Sequence, residues 1–396
     1  MKNRQVAQNI YYVGVNDRQK VLFENYIPIP NGVAYNSYLI MDEKVALIDT
    51  ADASMWNVYL EKVQSVLQGR KIDYLVVDHM EPDHAGSIGL LAQLYPDITI
   101  VGNAKTFNML SGYYSNMHSH SLKEVNEGDT LELGKRSLTF YMAPMVHWPE
   151  VMVAYENTDK ILFSADAFGT FGTLDGGIID EDLDTERFWD DMRRYYACIV
   201  GKFGKATQAA IQKLGGLEIK MICSTHGPVW KRDVAKVVGM FDQWSKYEAE
   251  PGLVIAYATM YGNTQQLAEA AAEGAVEAGL KNVTVYNLSK TDASYVLSDI
   301  FKYEGLILAA PTYMNEIYPL MDSLMRKIEQ RAIPHRHLGV MGSCTWAGGA
   351  VKKLTAFAEE MKWKMVSCPV DNKQGVDNED YEKAYDLGKA LAKALL

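Results

Sequence analysis

The sequence predicts an α/β protein made of two domains. The chain has 396 residues, more than one ordinary domain needs and enough for two. Before about residue 250, short strand-forming segments come in groups that favour antiparallel pairing. After residue 250, apolar strands alternate with helices, which is typical of a parallel sheet. We therefore predict a first domain over residues 1–249 and a second over residues 250–396.

The composition excludes several classes of protein. Hydrophobic residues make up 48% and charged residues 22% of the chain, so each half can bury a full core. The net charge of −11 argues against nucleic acid as a partner, because phosphate binding needs a basic surface. Since no apolar stretch suits a signal peptide or a membrane helix, we expect a cytoplasmic protein without a membrane partner.

The cysteines indicate reduced thiols, because none forms a C-x-x-C pair and no disulfide framework is apparent. They are Cys198, Cys223, Cys344 and Cys368. Four histidines lack the sequence context of a site, and we expect them on the surface. They are His118, His120, His335 and His337.

The elements of each domain follow from hydrophobic pattern. In the first domain, YNSYLIMDEKVALIDT predicts two strands around the turn at Asp42-Glu43-Lys44. In the second, five apolar runs alternate with five helices; the runs are LVIAYAT, VTVYNL, GLILAAPTY, HLGVMGSC and KMVSCPV. The polar segment KYEAEPG between the two halves is the predicted linker.

A cluster of metal-ligand residue types follows the apolar segment KIDYLVVD. It comprises His79, Glu81, Asp83 and His84, with Pro82 stiffening the chain between them. In extended backbone, side chains repeat every two residues, so the first three can converge on one side. His84 opens the following helix and approaches from another direction. Four ligand types in six positions are unusual for a purely structural segment.

Three further ligand types stand at the ends of later strands, namely His147, Asp166 and His226. Seven ligands are too many for one tetrahedral zinc ion, but they suit two metals. One metal would take His79, Glu81 and His147, and the other Asp83, His84 and His226. Asp166 is placed to bridge them, as between metals about 3.5–4 Å apart.

The spacing H-x-E-x-D-H followed by His, Asp and His resembles the flavodiiron proteins, and the resemblance covers the whole chain. It implies an N-terminal metallo-β-lactamase-like αββα sandwich carrying two iron ions. Hydrolases of that fold usually have histidine where this chain has Glu81. A carboxylate makes the site harder, which suits iron better than zinc. A di-zinc hydrolase fused to a flavodoxin-like module, and a non-catalytic electron carrier, are the remaining alternatives.

Three loops at strand ends of the second domain predict a mononucleotide site. The first opens a helix with hydroxyls, a glycine and backbone N–H groups, which together can hold an anion. A Walker lysine and a G-x-G-x-x-G fingerprint are both missing, so a mononucleotide remains. The loops are Thr259-Met260-Tyr261-Gly262-Asn263-Thr264, Pro311-Thr312-Tyr313-Met314-Asn315 and Ser343-Cys344-Thr345-Trp346-Ala347-Gly348-Gly349.

These loops look like those of a flavodoxin-like doubly wound parallel sheet, which binds FMN at its carboxyl edge. Trp346 is available to cover the flavin ring. The resemblance implies an oxidoreductase in which FMN feeds a di-iron site that reduces dioxygen to water. A nitric oxide reductase that forms nitrous oxide is the alternative on the same scaffold.

The resemblance also implies partners and one further residue role. It implies a head-to-tail homodimer, or a dimer of such dimers, with the FMN of one chain facing the irons of the other. The paired C-x-x-C motifs of a rubredoxin are missing, so we expect a separate donor such as a rubredoxin or a reduced deazaflavin. Tyr195 or Tyr196 resembles a family tyrosine that can donate a hydrogen bond to the bound oxidant. The role of Glu24 stays open.

Overall fold

The computed structural model describes residues 3–115 and 120–396, so His118 lies outside the described residues. The chain forms two compact units. One comprises residues 1–196 and 205–242, and the other residues 197–204 and 243–396. The boundary between the predicted domains, at residues 249 and 250, stays a prediction. Among the described residues, no helix combines the length and the apolar character that a membrane span requires.

The first unit contains sixteen strands among the described residues. They are β1 Arg4–Ala7, β2 Ile10–Tyr12, β3 Val15–Asp17, β4 Leu22–Phe23, β5 Ile27–Pro28, β6 Val33–Tyr35, β7 Tyr38–Met41, β8 Val45–Ile48, β9 Tyr74–Val76, β10 Thr99–Gly102, β11 Ser121–Glu124, β12 Thr130–Glu132, β13 Ser137–Met142, β14 Met152–Glu156, β15 Ile161–Phe163 and β16 Met221–Cys223. The α-helices up to the second unit are α1 Trp56–Leu67, α2 Pro82–Ala85, α3 Ile88–Leu94, α4 Ala104–Tyr113, α5 Glu186–Tyr195, α6 Gly204–Leu214 and α7 Val234–Ser245.

These strands form two main sheets, ordered β1-β2-β7-β8-β9-β10-β11 and β12-β13-β14-β15-β16. The sheets face each other across an apolar interior, where the Tyr38 and Phe163 rings lie 5.3 Å apart. Helices cover the outer faces, as the αββα prediction requires. The predicted fold class is confirmed for this domain.

The expectation of antiparallel groups is only partly right. Strands β7 and β8 pair antiparallel as the hairpin pattern predicts. Strands β8 to β11, however, run parallel to one another. The reason is that helices connect them: α1 joins β8 to β9, α2 and α3 join β9 to β10, and α4 joins β10 to β11. A helical crossover returns the chain to the same edge of the sheet and makes the next strand parallel.

The second unit is a parallel sheet with helices between its strands. Its strands are β17 Glu250–Tyr257, β18 Val283–Asn287, β19 Tyr303–Tyr313, β20 Glu316–Ile317, β21 His337–Cys344, β22 Lys364–Met365 and β23 Val370–Lys373. Its helices are α8 Asn263–Glu277, α9 Ala293–Lys302, α10 Pro319–Arg331, α11 Ala350–Met361 and α12 Asn378–Leu395. The main strand order is β18-β17-β19-β21-β22, which is the flavodoxin order.

Two details differ from the sequence prediction. The predicted fifth strand is divided into β22 and β23, which both pair with β21. Pro369 lies in the break and has no N–H to donate to the sheet, which explains the interruption. The predicted linker is shorter than expected, because β17 already begins at Glu250. One core cluster of this unit lies between the sheet and helices α8 and α12, and helices α9, α10 and α11 also bury apolar side chains.

Candidate metal centre and flavin pocket

The metal-ligand motif lies where strand β9 passes into helix α2. His79 and Glu81 occupy the connection, and Glu81 has extended backbone. Pro82 is the first residue of α2, a position where its missing N–H costs nothing. The change from extended chain to helix directs Asp83 and His84 to a second group of ligands. Strand-like alternation therefore holds for His79 and Glu81 only.

The first ligand group contains His79, Glu81, His147 and Asp166, whose ligand atoms all lie within 4.8 Å of one another. His147 Nε2 is 3.0 Å from Glu81 Oε2 and 3.0 Å from Asp166 Oδ2. His79 Nε2 is 3.4 Å from Glu81 Oε2. All four residues are at least nine-tenths buried.

The second ligand group contains Asp83, His84 and His226. His84 Nε2 is 3.3 Å from Asp83 Oδ1, and His226 Nε2 is 3.2 Å from Asp83 Oδ2. The other carboxylate oxygen of Asp166, Oδ1, lies 2.8 Å from His84 Nε2. Since Oδ2 of Asp166 faces the first group, this one side chain stands between the two groups.

Neighbouring groups fix the orientation of the ligands. Glu150 Oε1 lies 2.8 Å from His79 Nδ1, which directs His79 Nε2 to the first group. The Ala34 carbonyl lies 2.7 Å from His226 Nδ1 and does the same for the second. Thr225 Oγ1 donates to Asp166 Oδ1 at 2.6 Å. Such supporting contacts hold metal-binding imidazoles in the right tautomer. No sequence pattern pointed to Thr225, and Glu150 was marked only by its proximity to His147.

Neighbouring opposite charges shift the pKa values of ionisable groups in both clusters. Burial acts to lower the pKa of His147, but hydrogen bonds to Asp166 and Glu81 outweigh it and raise that pKa to about 9. The pKa of His84 is likewise raised to about 9, because the charges of Asp83 and Asp166 outweigh its burial. Burial acts to raise the pKa of Asp166, yet His84 and His147 hold it well below its usual range. Asp166 therefore stays ionised and can bind cations.

The chemistry of the cluster fits two metal ions. Among the described residues, His79 Nε2, His84 Nε2, His226 Nε2 and both Asp83 oxygens are buried without a hydrogen-bond partner. Leaving so many buried polar atoms unpaired is costly unless a bound cation satisfies them. Four imidazoles and three carboxylates suit divalent transition metals, and the carboxylates favour iron over a softer site.

The two adjacent tyrosines face different surroundings. Tyr195 is the last residue of α5, and its ring lies 5.6 Å from that of His226. Burial, together with the negative charges of Asp166 and Glu81, raises the pKa of Tyr195 well above its usual value. Tyr196 packs on Phe241 instead, with ring centroids 5.0 Å apart. The structure thus brings Tyr195, and not Tyr196, to the ligand cluster.

Glu24 also belongs to the surroundings of the metal cluster. It occupies the turn between β4 and β5, with φ of 48°. Partial burial of its carboxyl group and the charge of Glu81 raise its pKa, and Asp83 and Asp166 act in the same direction. The Glu24 carboxyl group therefore interacts electrostatically with the carboxylates of both ligand groups.

The three predicted flavin loops enclose one cavity of about 510 Å³ in the second unit. Its lining includes fifteen of the eighteen predicted residues, all except Gly262, Gly348 and Gly349. Hydrogen bonds join the loops: Thr264 Oγ1 and Ser343 Oγ are 2.8 Å apart. The Gly349 N–H donates to Thr312 Oγ1 at 2.9 Å. A cavity of this size suits a mononucleotide cofactor.

Gly262, one of the three glycines outside the lining, shapes the turn before helix α8. Gly262 precedes helix α8 with φ of 101°, a conformation that side chains strongly disfavour. The Gly262 N–H donates a hydrogen bond to the Thr259 hydroxyl at 3.0 Å. The turn thereby presents the N-terminus of α8 beside the cavity, where a phosphate is stabilised.

Comparisons with known proteins agree with this organisation. The model of the ODP family beta lactamase matches residues 33–227, and that of flavodoxin matches residues 255–388. A nitric oxide reductase of Moorella thermoacetica is 32% identical, and the alignment covers 98% of this chain and 97% of that protein.

Two solved structures show the same fold over both domains. The rubredoxin oxygen:oxidoreductase of Desulfovibrio gigas has a TM-score of 0.95 at 28% identity, covering 100% of this chain and 98% of that one. The flavodiiron protein of Giardia intestinalis has a TM-score of 0.95 at 27% identity, covering 99% and 96%.

Fold, site and relatives together define a flavin-dependent oxidoreductase with a paired metal centre. The chain belongs to the flavodiiron protein family. Its cofactors are accordingly FMN and two iron ions, as the sequence predicts.

Proposed function

We propose that this protein catalyses the four-electron reduction of dioxygen to water. The observation that carries the proposal is the pair of buried ligand groups that share Asp166, in the same chain as a flavin pocket. When bound, two irons and FMN supply redox chemistry with four electrons, the number that converts one dioxygen and four protons into two waters.

The ligand assignment rests on the direction of each side chain. His79, Glu81 and His147 would hold one iron, and Asp83, His84 and His226 the other. Asp166 would bridge them, since its two oxygens face different groups. Glu150 and the Ala34 carbonyl keep the Nε2 atoms of two of these histidines directed inward.

Tyr195 would act on the bound oxidant. Its hydroxyl is buried, and Asp166 of the ligand cluster is among the groups that act on it. Its raised pKa keeps the phenol protonated, so it can donate to an oxygen or nitrogen atom at the metal centre. Tyr196 would have a structural role, since its ring packs on Phe241.

The flavin loops would share the work of holding FMN. The turn at Gly262 and the start of α8 would bind the phosphate, and the loops at 311–315 and 343–349 would enclose the ring system. The hydroxyls that join these loops fix the shape of the pocket before the cofactor arrives.

Five large apolar side chains around the flavin pocket support a head-to-tail homodimer, with a dimer of dimers as the higher state. They are Met260, Tyr261, Tyr313, Met314 and Trp346, of which Tyr261 is 91% exposed. Exposed apolar patches of this kind mark interaction surfaces. In such a dimer, the FMN of one chain faces the irons of its partner. Analytical ultracentrifugation should show a dimer that Tyr261→Asp weakens, whereas a monomer with full turnover would contradict it.

The electrons would come from a separate donor, either a rubredoxin or a reduced deazaflavin. The name of the Desulfovibrio gigas relative supports rubredoxin. We also propose a cytoplasmic location, supported by the four cysteines, which form no disulfide with one another in the described part of the chain.

The proposal is tested by turnover of the anaerobically purified, chemically reduced protein with each gas separately. We expect rapid loss of dioxygen without release of peroxide. Peroxide as the main product, or no loss of dioxygen, would overturn the assignment.

Nitric oxide reduction is the second candidate, because the Moorella thermoacetica relative carries that name at 32% identity. Two nitric oxide molecules, two electrons and two protons give nitrous oxide and water, so the same ligand groups suffice. Sustained nitrous oxide formation that is faster than dioxygen loss would favour this activity.

A further inference from the structure

A small cavity lies in the first unit between strands of the second sheet and helices α6 and α7. It has a volume of about 20 Å³. A cavity needs roughly 10–15 Å³ to hold one water molecule, so this one has room for a single very small molecule. Interiors of proteins contain few voids of this size, which makes its position informative.

The cavity adjoins the segments that carry two of the predicted iron ligands. Val146 and Ala167 are both in its lining. Val146 directly precedes His147, and Ala167 directly follows Asp166. The cavity wall and the ligand cluster therefore share the same two short segments of chain.

The lining favours an apolar occupant over water. Carbon side chains dominate it, with Phe168, Phe241 and Leu214 among them. The Ser164 hydroxyl, which also borders the cavity, already donates to the Ala167 carbonyl at 2.8 Å. A buried water usually makes about three hydrogen bonds, whereas an uncharged gas gains from leaving water for such a surface.

The outer end of the cavity approaches the protein surface at helix α6. Ala210 and Ile211 of that helix line the cavity and are only half-buried. Leu214, one turn further along, is buried. The lining therefore runs from the surface of α6 to the loops that carry His147 and Asp166.

We propose that this cavity is a holding site for the diatomic gas on its way to the metal centre. This inference rests on the proposed function, because it takes dioxygen or nitric oxide as the substrate. The cavity concentrates the uncharged gas next to the ligand cluster and excludes water from that route.

Xenon is the probe, since it is an uncharged atom that enters apolar cavities lined by aliphatic and aromatic side chains. Crystals of the FMN- and iron-loaded protein under xenon pressure should show one xenon atom in the cavity. The variant Ala210→Phe should fill the cavity and abolish that xenon site. The matched control is Ala209→Phe, which changes the neighbouring residue of α6 outside the lining, where the side chain is exposed. If Ala210→Phe does not fold, Ala210→Leu provides a smaller filling change.

Kinetics should separate the same variants. Ala210→Phe should lower kcat/KM for the gas by about threefold with kcat unchanged, because it obstructs delivery and leaves the chemistry intact. Ala209→Phe should match the native protein. Xenon binding that persists in Ala210→Phe, no xenon in the native cavity, or an unchanged kcat/KM would each overturn the inference. Native protein that binds xenon but reduces neither gas would instead overturn the proposed function, so the two failures are distinguishable.

Discussion

The metal centre and the flavin pocket are built in opposite ways. All seven candidate metal ligands are more than 90% buried, and every one lies within hydrogen-bonding or ion-pairing distance of another. The flavin pocket is open, and Tyr261 and Trp346 on its rim are 91% and 80% exposed. In the metal centre, each side chain is a candidate ligand of one metal position, and no neighbouring side chain can replace it. In the flavin pocket, residues of three loops bind the cofactor together, so a single substitution should reduce binding and activity much less.

The largest effect is expected at Asp166, the residue between the two ligand groups. Asp166→Ala removes the side chain that faces both ligand groups, so we expect loss of iron and at least about a 1000-fold loss of turnover. FMN content should be unchanged. Metal analysis and gas consumption check this, with the exposed Asp97→Ala as the matched control. Retention of iron with normal turnover would refute the bridging role.

A smaller loss of iron affinity is expected for substitution of Glu150, which is hydrogen-bonded to the candidate ligand His79 and is not itself a candidate ligand. Glu150→Ala leaves His79 Nδ1 without its partner. We expect iron affinity to fall about 10- to 100-fold, as is usual when such a supporting group is removed. Glu150→Gln keeps an oxygen for the same bond and should lose less. Titration of iron(II) into the metal-free protein measures both, and equal affinities in all three proteins would contradict this orienting role.

Tyr195 should affect turnover without affecting cofactor content. Tyr195→Phe removes the buried hydroxyl, and we expect kcat to fall about tenfold because one hydrogen bond to the reacting molecule is lost. The matched control is Tyr196→Phe, whose ring packs on Phe241 and should leave kcat near the native value. If the control loses more activity than Tyr195→Phe, the assignment between the two tyrosines is wrong.

The smallest effect is expected at the flavin pocket. Trp346→Ala removes one of several groups that enclose the ring, so we expect the Kd for FMN to rise by at most about tenfold. Iron content should not change. Fluorescence titration of FMN measures this, with the exposed Tyr113→Ala of the first unit as control. Complete loss of FMN would show that this pocket is no more tolerant than the metal centre.

The convergence of the seven candidate ligands was predictable because each of them interrupts or ends an apolar run. His147, Asp166 and His226 are far apart in the chain, yet each follows a strand and arrives at the same edge. Their division into two groups was also predictable, although the reason is the start of helix α2 at Pro82 and not strand alternation. What the sequence could not supply was the partner of each ring, such as Glu150 for His79, since that contact joins distant segments.

Other features depend on packing that no local pattern contains. In a helix, the side chains of Tyr195 and Tyr196 point about 100° apart. The packing of α5 against the rest of the domain determines that Tyr195 contacts His226, and no local pattern contains this information. The parallel run from β8 to β11 follows from helical crossovers that alternation alone does not reveal. The divided edge strand, in contrast, has a local cause in Pro369 and could have been anticipated.

The most direct test of the central claim is the metal content of the anaerobically purified protein, measured per chain by mass spectrometry of the elements. The two ligand groups should hold two iron ions per chain, and Asp166→Ala should lose them. Zinc in place of iron at both positions would contradict the account and indicate a hydrolase built on the same fold.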